Sequence, residues 1–160
     1  MDGTPFDWFG DNRMYCLHLA VDDATSEVLA GWFTPHECLY GYCQMMLIVL
    51  KKYGIPSYVY SDRHTILKGY AGGDTLFSLM MKRIGIDQIY ANSAEAKGRV
   101  ERYNGTVQRR IINDIIRFRN KGVKLDDYDD LNKWFNDFYC EYIIQSFLLN
   151  HLIITVNLNR

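Results

Sequence analysis

The sequence predicts an α/β protein in which a mixed β-sheet is flanked by helices. Short strand-like segments rich in apolar residues open the chain. After residue 34, longer segments with apolar residues at helical spacing alternate with further short strands. The resulting order, β-β-β-α-β-α-β-α-α, places a hairpin or meander before βαβ crossovers, which implies antiparallel and parallel strands in one sheet.

The first strands are expected before residue 34. Residues 1–9 are interpreted as a strand end followed by a turn at residues 3–5. Residues 14–21 and 27–33 are interpreted as two strands joined by a tight turn at 22–26, because Asp and Ser favour turn positions. Together these segments predict a β-hairpin or meander.

The helices follow from capping and periodicity. Thr34-Pro35 predicts a helix start, since threonine caps helices and proline is favoured at the first helical position. The predicted core positions of this helix, over 36–53, are Leu39, Tyr42, Cys43, Met46, Leu47 and Leu50. The remaining elements are a strand over 57–61, a helix over 74–84, a strand over 86–90, a long helix over 94–119 and a last helix over 126–141. Gly54, Gly85 and Gly122 are expected to end helices.

Composition excludes several classes of protein. At 160 residues, with 48% hydrophobic and 14% aromatic residues, the chain suits one domain with a substantial core and not a disordered segment. The net charge of −1 requires any DNA contact to come from a local basic patch. The cysteines form no C-x-x-C pair and are expected to be reduced thiols. The apolar stretch 142–156 is interrupted by polar residues and too short for a membrane span of about 20 residues, so a cytoplasmic protein is predicted.

Three carboxylates stand where this layout would bring them together. Asp2 is on the first strand, Asp62 follows the fourth strand, and Glu101 is on the long helix. Sites in α/β sheets form beyond the carboxyl ends of strands. Converging carboxylates suit one or two Mg²⁺ ions, and two ions about 4 Å apart can activate a water or 3′-hydroxyl and stabilise the leaving oxygen of a phosphodiester.

The local sequence around these residues resembles the motifs of one protein family. Residues 92–104 (NSAEAKGRVERYN) resemble the signature that leads into the catalytic glutamate of the integrase-core transposases, which include bacterial insertion-sequence transposases and retroviral integrases. Residues 60–64 (YSDRH) resemble their second-aspartate motif, and residues 1–9 (MDGTPFDWF) resemble the first-aspartate segment of one insertion-sequence branch. Residues 21–25 (VDDAT) resemble the turn after their second strand.

The resemblance implies a fold, a chemistry and partners. The fold would be ribonuclease-H-like, with a five-stranded mixed sheet flanked by helices, spanning residues 1–125; residues 126–160 would form a C-terminal helix and an atypical tail. Asp2, Asp62 and Glu101 would form a catalytic triad that holds Mg²⁺ or Mn²⁺, as two ions. The implied activity is hydrolysis and strand transfer on transposon-end and target DNA, by a homo-oligomer associated with the bacterial nucleoid when acting.

Each proposed ligand has a plainer interpretation. Asp2 could be a polar terminal residue with Asp7 as its rival, although Asp7 could equally be a loop carboxylate. Asp62 could cap a strand, and Glu101 could pair with Lys97 one turn away on the helix surface. Gly98, which costs about 1 kcal/mol in a helix, favours a functional role for this helix start.

A basic segment follows the proposed glutamate. Nine of the chain's 18 Lys and Arg residues lie in 97–124, together with only two acidic residues. This segment predicts a phosphate-contacting surface, with a solvated helix face as the alternative. The predicted DNA-binding residues are Lys97, Arg99, Arg102, Arg109, Arg110, His64 and Asn92, of which His64 could instead be an exposed loop residue and Asn92 a helix cap.

The sequence departs from the family at both ends. Met1 directly precedes Asp2, so the first half of a central strand and the usual helix-turn-helix region are expected to be missing, and weak or absent activity is predicted. Ala94 and Glu95 replace the usual proline and glutamine, and the tail is atypical. Two alternatives therefore stay open: a truncated, inactive remnant that folds and binds DNA or itself weakly, and a ribonuclease-H-type nuclease.

Overall fold

A computed structural model describes residues 1–10, 12–25, 27–61, 66–67, 73–90 and 94–143. Within the long helix, only the backbone is described at residues 94–104, 106 and 107. The strands are β1 Asp2–Phe6, β2 Tyr15–Val21, β3 Val28–Thr34, β4 Tyr58–Ser61 and β5 Asp87–Tyr90. The helices are α1 Leu39–Tyr53, α2 Leu76–Arg83, α3 Ala94–Asn120 and α4 Tyr128–Trp134, with a π-helical segment Phe135–Tyr139 continuing α4. The predicted order of elements is confirmed.

The five strands form two small sheets among the described residues. β1, β2 and β3 make an antiparallel sheet in that order, and β4 and β5 make a parallel pair. The mixed character of the strands is as predicted, but a single five-stranded sheet is not what the strand pairing gives. The two sheets meet where the amino group of Met1 donates a hydrogen bond of 2.7 Å to the carbonyl oxygen of Tyr60.

The predicted turn at residues 3–5 is wrong, because these residues lie within β1. On β3, Gly31 and Phe33 direct their backbone groups away from β2 and towards side chains of α4 and of the π-helical segment. Hydrogen-bond direction alternates along an antiparallel strand, so Pro5, opposite Cys16, has its nitrogen on the outer edge of β1. A proline there removes no ladder hydrogen bond, which is why the strand tolerates it.

The predicted helix start at Thr34-Pro35 is also wrong. Thr34 is the last residue of β3, where it pairs with Cys16, and its hydroxyl donates to the carbonyl of His36 at 2.6 Å. The helix begins at Leu39, and the backbone N–H of its N-cap residue Cys38 donates to Nε2 of His18 at 3.2 Å. A histidine from the neighbouring sheet thus replaces the local threonine as the partner of the helix start.

The core face of α1 is shifted from the predicted one. Tyr42 and Met46 are buried as expected, whereas Leu47 is 42% exposed. Met45 and Val49 are buried instead. All six residues of the run 45–50 are apolar, which allows several helical stripes, and the contact with the sheet selects one of them.

The glycines predicted to end helices and the Asp22 predicted in a turn are found at those places. Gly54, Gly85 and Gly122 follow α1, α2 and α3 with φ of 89°, 80° and 85°, a region that favours glycine. Between β2 and β3, the carboxylate of Asp22 accepts from the backbone N–H of Ala24 at 3.2 Å and from the Thr25 hydroxyl at 3.0 Å. These predictions are confirmed.

The antiparallel sheet has a different hydrophobic core on each face. Leu17 and Leu19 of β2 pack with Ile111 and Ile115 of α3 and with residues of α4. The alternate residue Ala20 packs with α1 and α2. Because strand residues alternate between faces, the first face can be called the α3 face and the second the α1 face.

Two asparagines of α4 and the π-helical segment bind the outer edge of β3. Asn132 accepts from the N–H of Phe33 at 2.6 Å and donates to its carbonyl at 2.9 Å. Asn136 makes the same pair of bonds with Gly31, at 3.2 Å and 2.7 Å. The two side-chain amides satisfy the backbone groups that a further strand would otherwise pair. In the part of the chain that the structure describes, no helix is long and apolar enough to cross a membrane.

Candidate active site at the carboxyl end of β4

Asp2 lies on the α3 face of the sheet. Its Cα partner on β2 is Leu19, and directly opposite residues of antiparallel strands present their side chains on the same face. Leu19 packs in the core that contains Ile111 and Ile115 of α3. The first of the three predicted carboxylates is therefore on the side of the sheet that carries the helix of the third.

Asp2 also lies next to the carboxyl end of β4. Its neighbour Met1 is hydrogen-bonded to Tyr60, and β4 ends at Ser61, one residue later. Asp62, the second predicted ligand, follows Ser61 in sequence but lies outside the described residues, as do His64 and Asn92. The structure thus brings Asp2 to the strand end from which Asp62 continues.

Glu101 is two turns into α3. This helix begins at Ala94, four residues after β5 ends at Tyr90, and Tyr90 is the parallel partner of Ser61. The start of α3 therefore follows the same end of the parallel pair. The backbone of Lys97, Glu101 and Arg102 is helical as predicted, and Arg99 lies in the same turns; nothing is described of these side chains.

The carboxylate of Asp2 is half-buried and held by its own strand. Its Oδ1 accepts a hydrogen bond of 3.0 Å from the N–H of Gly3. That N–H points to the outer edge of β1, the edge at which Met1 reaches β4. The contact of Met1 with β4 and the orientation of the Asp2 carboxylate therefore depend on neighbouring backbone groups.

Sequence reasoning missed the residues packed against the other side of Gly3. A Cβ built on Gly3 would lie 2.8 Å from Oε1 of Glu37 and 2.8 Å from the hydroxyl oxygen of Tyr42. These two side chains are bonded to each other, because the Tyr42 hydroxyl donates to Oε1 of Glu37 at 2.6 Å. The only sequence signal was a glycine directly after a proposed ligand.

His18 lies opposite Gly3 and is fully buried. Its Nε2 accepts from the Cys38 N–H, so its Nδ1 carries the proton that is donated to the carbonyl of Trp32 at 3.1 Å. Burial lowers the pKa of His18 below its ordinary value, which favours this neutral form. The imidazole fits only because Gly41 has no side chain where α1 crosses it.

Negative charge gathers around β1. Burial, followed by the charges of Glu37, Cys38 and Asp2 in that order, raises the pKa of the Cys16 thiol to about 12. All four cysteines lie in described parts of the chain and are free thiols, as expected. Cys16 is therefore a protonated thiol at neutral pH.

The basic residues of α3 have different surroundings. Arg109 is exposed, as a DNA contact requires. Arg110 lies 3.8 Å from the carboxylate of the buried Asp114, which also pairs with Arg117 at 3.0 Å. Tyr139 donates a hydrogen bond of 2.8 Å to Asp114, so this cluster also joins α3 to the π-helical segment. Arg110 thus has a structural contact in addition to its predicted role.

Asp7, the rival of Asp2, is a loop carboxylate. Its Oδ1 accepts from the N–H of Gly10 at 2.9 Å, and its Oδ2 accepts from the N–H of Asn12 at 3.0 Å. Asn12 has a positive φ of 66°, which asparagine tolerates better than most residues. Both oxygens of Asp7 therefore stabilise the turn after β1.

Of the three predicted metal ligands, Asp2 is the one whose side chain the structure describes. Mg²⁺ and Mn²⁺ prefer carboxylate oxygens, and Asp2 presents one at the carboxyl end of β4. No cluster of three His, Cys, Asp or Glu side chains occurs within the described residues. The side chains of Asp62 and Glu101 lie outside them.

Two curated proteins are similar to much of the chain. A putative transposase, y4bF, of Sinorhizobium fredii (strain NBRC 101917 / NGR234) is 36% identical over 122 residues, which cover 72% of this chain and 27% of the relative. The transposase for insertion sequence IS1202 of Streptococcus pneumoniae is 34% identical over 119 residues, covering 69% of this chain and 25% of the relative. The chain spans about a quarter of the length of these relatives.

A solved structure has a similar fold. A chain in the cryo-EM structure of the simian T-cell lymphotropic virus intasome in complex with PP2A regulatory subunit B56 gamma matches with a TM-score of 0.56 and 22% identity. The match covers 84% of this chain and 45% of that chain. No protein-family model matches. The resemblance to integrase-core transposases that the sequence motifs indicated is confirmed by these relatives.

Proposed function

We propose that this relative of the insertion-sequence transposases is a DDE-type catalytic core that binds DNA and performs metal-dependent phosphodiester hydrolysis and strand transfer. The observation that carries the proposal is the position of Asp2. The strand register puts it on the α3 face, and the Met1–Tyr60 hydrogen bond puts it beside the end of β4. These contacts support a ribonuclease-H-like arrangement in which β1 and β4 are neighbours.

The alternation of side chains along β4 supports a position of Asp62, the second proposed ligand, on the same face as Asp2. Val59 packs in the core of the α1 face. Side chains alternate along a strand, so Ser61 shares that face and a strand continued past Ser61 would turn its next side chain to the α3 face. Asp62 is that next residue in sequence. Glu101 would approach the same face from α3.

In this proposal Asp2, Asp62 and Glu101 hold one or two Mg²⁺ or Mn²⁺ ions. When bound, such ions activate a water or a 3′-hydroxyl and stabilise the leaving oxygen of a phosphodiester. The chain itself contributes to this arrangement: the Gly3 N–H orients the Asp2 carboxylate, and the backbone of Glu101 belongs to α3. Lys97, Arg99, Arg102 and Arg109 would bind phosphates along α3, with Arg110, His64 and Asn92 as further contacts.

A Mn²⁺ titration of residues 1–160 by isothermal calorimetry tests the triad. We expect saturable binding that Asp2→Asn, Asp62→Asn or Glu101→Gln each weakens by at least about tenfold, since each removes a ligating charge. Asp129→Asn makes the same charge change at an exposed position of α4 and should leave binding unchanged. Equal affinity in Asp62→Asn and the unsubstituted chain would contradict the proposal.

A further inference from the structure

Glu37 and Tyr42 form a support for β1 directly behind Gly3. Tyr42 is 1% exposed, and its hydroxyl bonds to the Glu37 carboxylate at 2.6 Å. Both oxygens lie where a Gly3 side chain would be, so the backbone of β1 rests against them without intervening atoms. Neither residue belongs to the predicted triad, and the bond between the Tyr42 hydroxyl and the Glu37 carboxylate is not explained by packing of an apolar core.

The support continues to the Asp2 carboxylate through one backbone group. Gly3 contacts Glu37 and Tyr42 on the α1 face, and its N–H donates to Oδ1 of Asp2. A displacement of Gly3 would therefore move the donor that orients Asp2. Glu37 is held in turn, because it precedes the start of α1 at Cys38, where the N–H is bound to the buried imidazole of His18.

We propose that Glu37 and Tyr42 are positioning residues, which set the metal affinity of the site by holding Gly3 and, through its N–H, the carboxylate of Asp2. The proposal rests on the function proposed above, because it assigns Asp2 as a ligand. Polar groups behind a ligand commonly fix its orientation, and their loss weakens metal binding without removing a ligand. The absence of a side chain at residue 3 is what lets the pair reach the strand.

Matched tyrosines on α1 make the test sharp. Tyr42→Phe removes only the hydroxyl behind Gly3, whereas Tyr40→Phe removes the hydroxyl of a residue that is 59% exposed on the same helix. We expect Tyr42→Phe and Glu37→Ala to weaken Mn²⁺ binding by about tenfold, and Tyr40→Phe to leave it unchanged. Glu37→Gln keeps an acceptor for Tyr42 and should recover most of the affinity. Circular dichroism at the titration temperature confirms that each variant is folded.

The amide signal of Gly3 gives a second, metal-free measurement. In a two-dimensional ¹H–¹⁵N spectrum, where Gly3→Ala identifies the signal by its loss, Tyr42→Phe should shift the Gly3 resonance and Tyr40→Phe should not. Unchanged Mn²⁺ affinity in Tyr42→Phe and Glu37→Ala, with binding still lost in Asp2→Asn, would overturn the positioning role alone. Binding that survives Asp2→Asn would overturn the proposed function. If the unsubstituted chain binds no Mn²⁺, an unshifted Gly3 signal in Tyr42→Phe overturns the positioning role.

Discussion

The two outer edges of the antiparallel sheet have different hydrogen-bond partners. On β3, Asn132 and Asn136 occupy the N–H and carbonyl groups of Phe33 and Gly31. On β1, the outward groups described are used one at a time: Met1 donates to Tyr60, and Gly3 donates to the carboxylate of Asp2. The paired side-chain amide bonds are at the β3 edge, and the candidate active site lies at the β1 edge.

The difference follows from what binds each edge. Asn132 lies in a dry core and is 5% exposed, so its bonds to β3 face little competition from water. At β1 the partner is the half-buried carboxylate of Asp2, which we propose binds a cation. The sheet thus has one edge, β3, that is closed by neutral amides and another edge, β1, that lies beside a charged side chain. Such a sheet suits a rigid support for a site. Three predictions test this comparison.

The largest effect is expected from Asn132→Ala. The change leaves the buried N–H and carbonyl of Phe33 without partners, and we expect the free energy of unfolding in urea to fall by about 3 kcal/mol. Asn120→Ala, at an exposed position near the end of α3, should change it by less than about 0.5 kcal/mol. A loss below about 1 kcal/mol in Asn132→Ala would show that the β3 edge does not depend on its amides.

A smaller effect separates the glycines of the two edges. A Cβ on Gly31 would lie 2.5 Å from Cε1 of the Phe135 ring, which is fixed in the core, so Gly31→Ala should cost about 2 kcal/mol of unfolding free energy. A Cβ on Gly3 would lie 2.8 Å from Oε1 of the half-buried Glu37, at the end of a flexible side chain, and 2.8 Å from the hydroxyl oxygen of the buried Tyr42. Because the flexible Glu37 side chain can adjust more easily than the Phe135 ring, Gly3→Ala should cost less than Gly31→Ala, about 1 kcal/mol, while weakening Mn²⁺ binding. Equal losses of stability would remove the distinction between the edges.

The smallest effect is the pH dependence of the unfolding free energy that comes from His18, which lies opposite Gly3 of β1. Burial lowers the folded-state pKa of His18, so the unfolded chain binds more protons below its ordinary pKa of about 6.5. Stability should therefore fall as the pH drops below that value and continue to fall down to the folded-state pKa. Urea unfolding at pH 7.5, 6.5 and 5.5 measures it, and His18→Gln, which does not titrate, should flatten the profile relative to the unsubstituted chain. A profile unchanged by His18→Gln would assign the acid sensitivity to other groups.

The sequence predicted the order of the helices and strands more accurately than the residues at which they begin and end. Gly54, Gly85 and Gly122 marked helix ends because a positive φ is a local requirement. Thr34-Pro35 misled because the local capping preference is weaker than the pairing of Thr34 with Cys16, a contact across 18 residues. The turn predicted at residues 3–5 failed for the same reason, since Pro5 is compatible with an outer strand edge that only the sheet defines.

The candidate site was predictable where it rests on a motif. Asp2 was predicted as a ligand from the sequence of its segment, and that role stays a prediction; the structure places Asp2 on β1 and on the α3 face. Glu37 and Tyr42 were not identified, because their relation to Gly3 depends on how α1 crosses the sheet. Asn132 and Asn136 were missed although they share a helix face at a spacing of four, since their partners on β3 are 99 and 105 residues away.

The asparagine pair also affects how copies of the chain meet. An exposed strand edge invites another molecule to add a strand, which leads to domain swapping or to fibrils. Asn132 and Asn136 occupy the sites on Gly31 and Phe33 that an incoming strand would need. Loss of the amides would therefore do more than lower stability: it would expose a template, and concentrated solutions of Asn132→Ala should become prone to ordered aggregation.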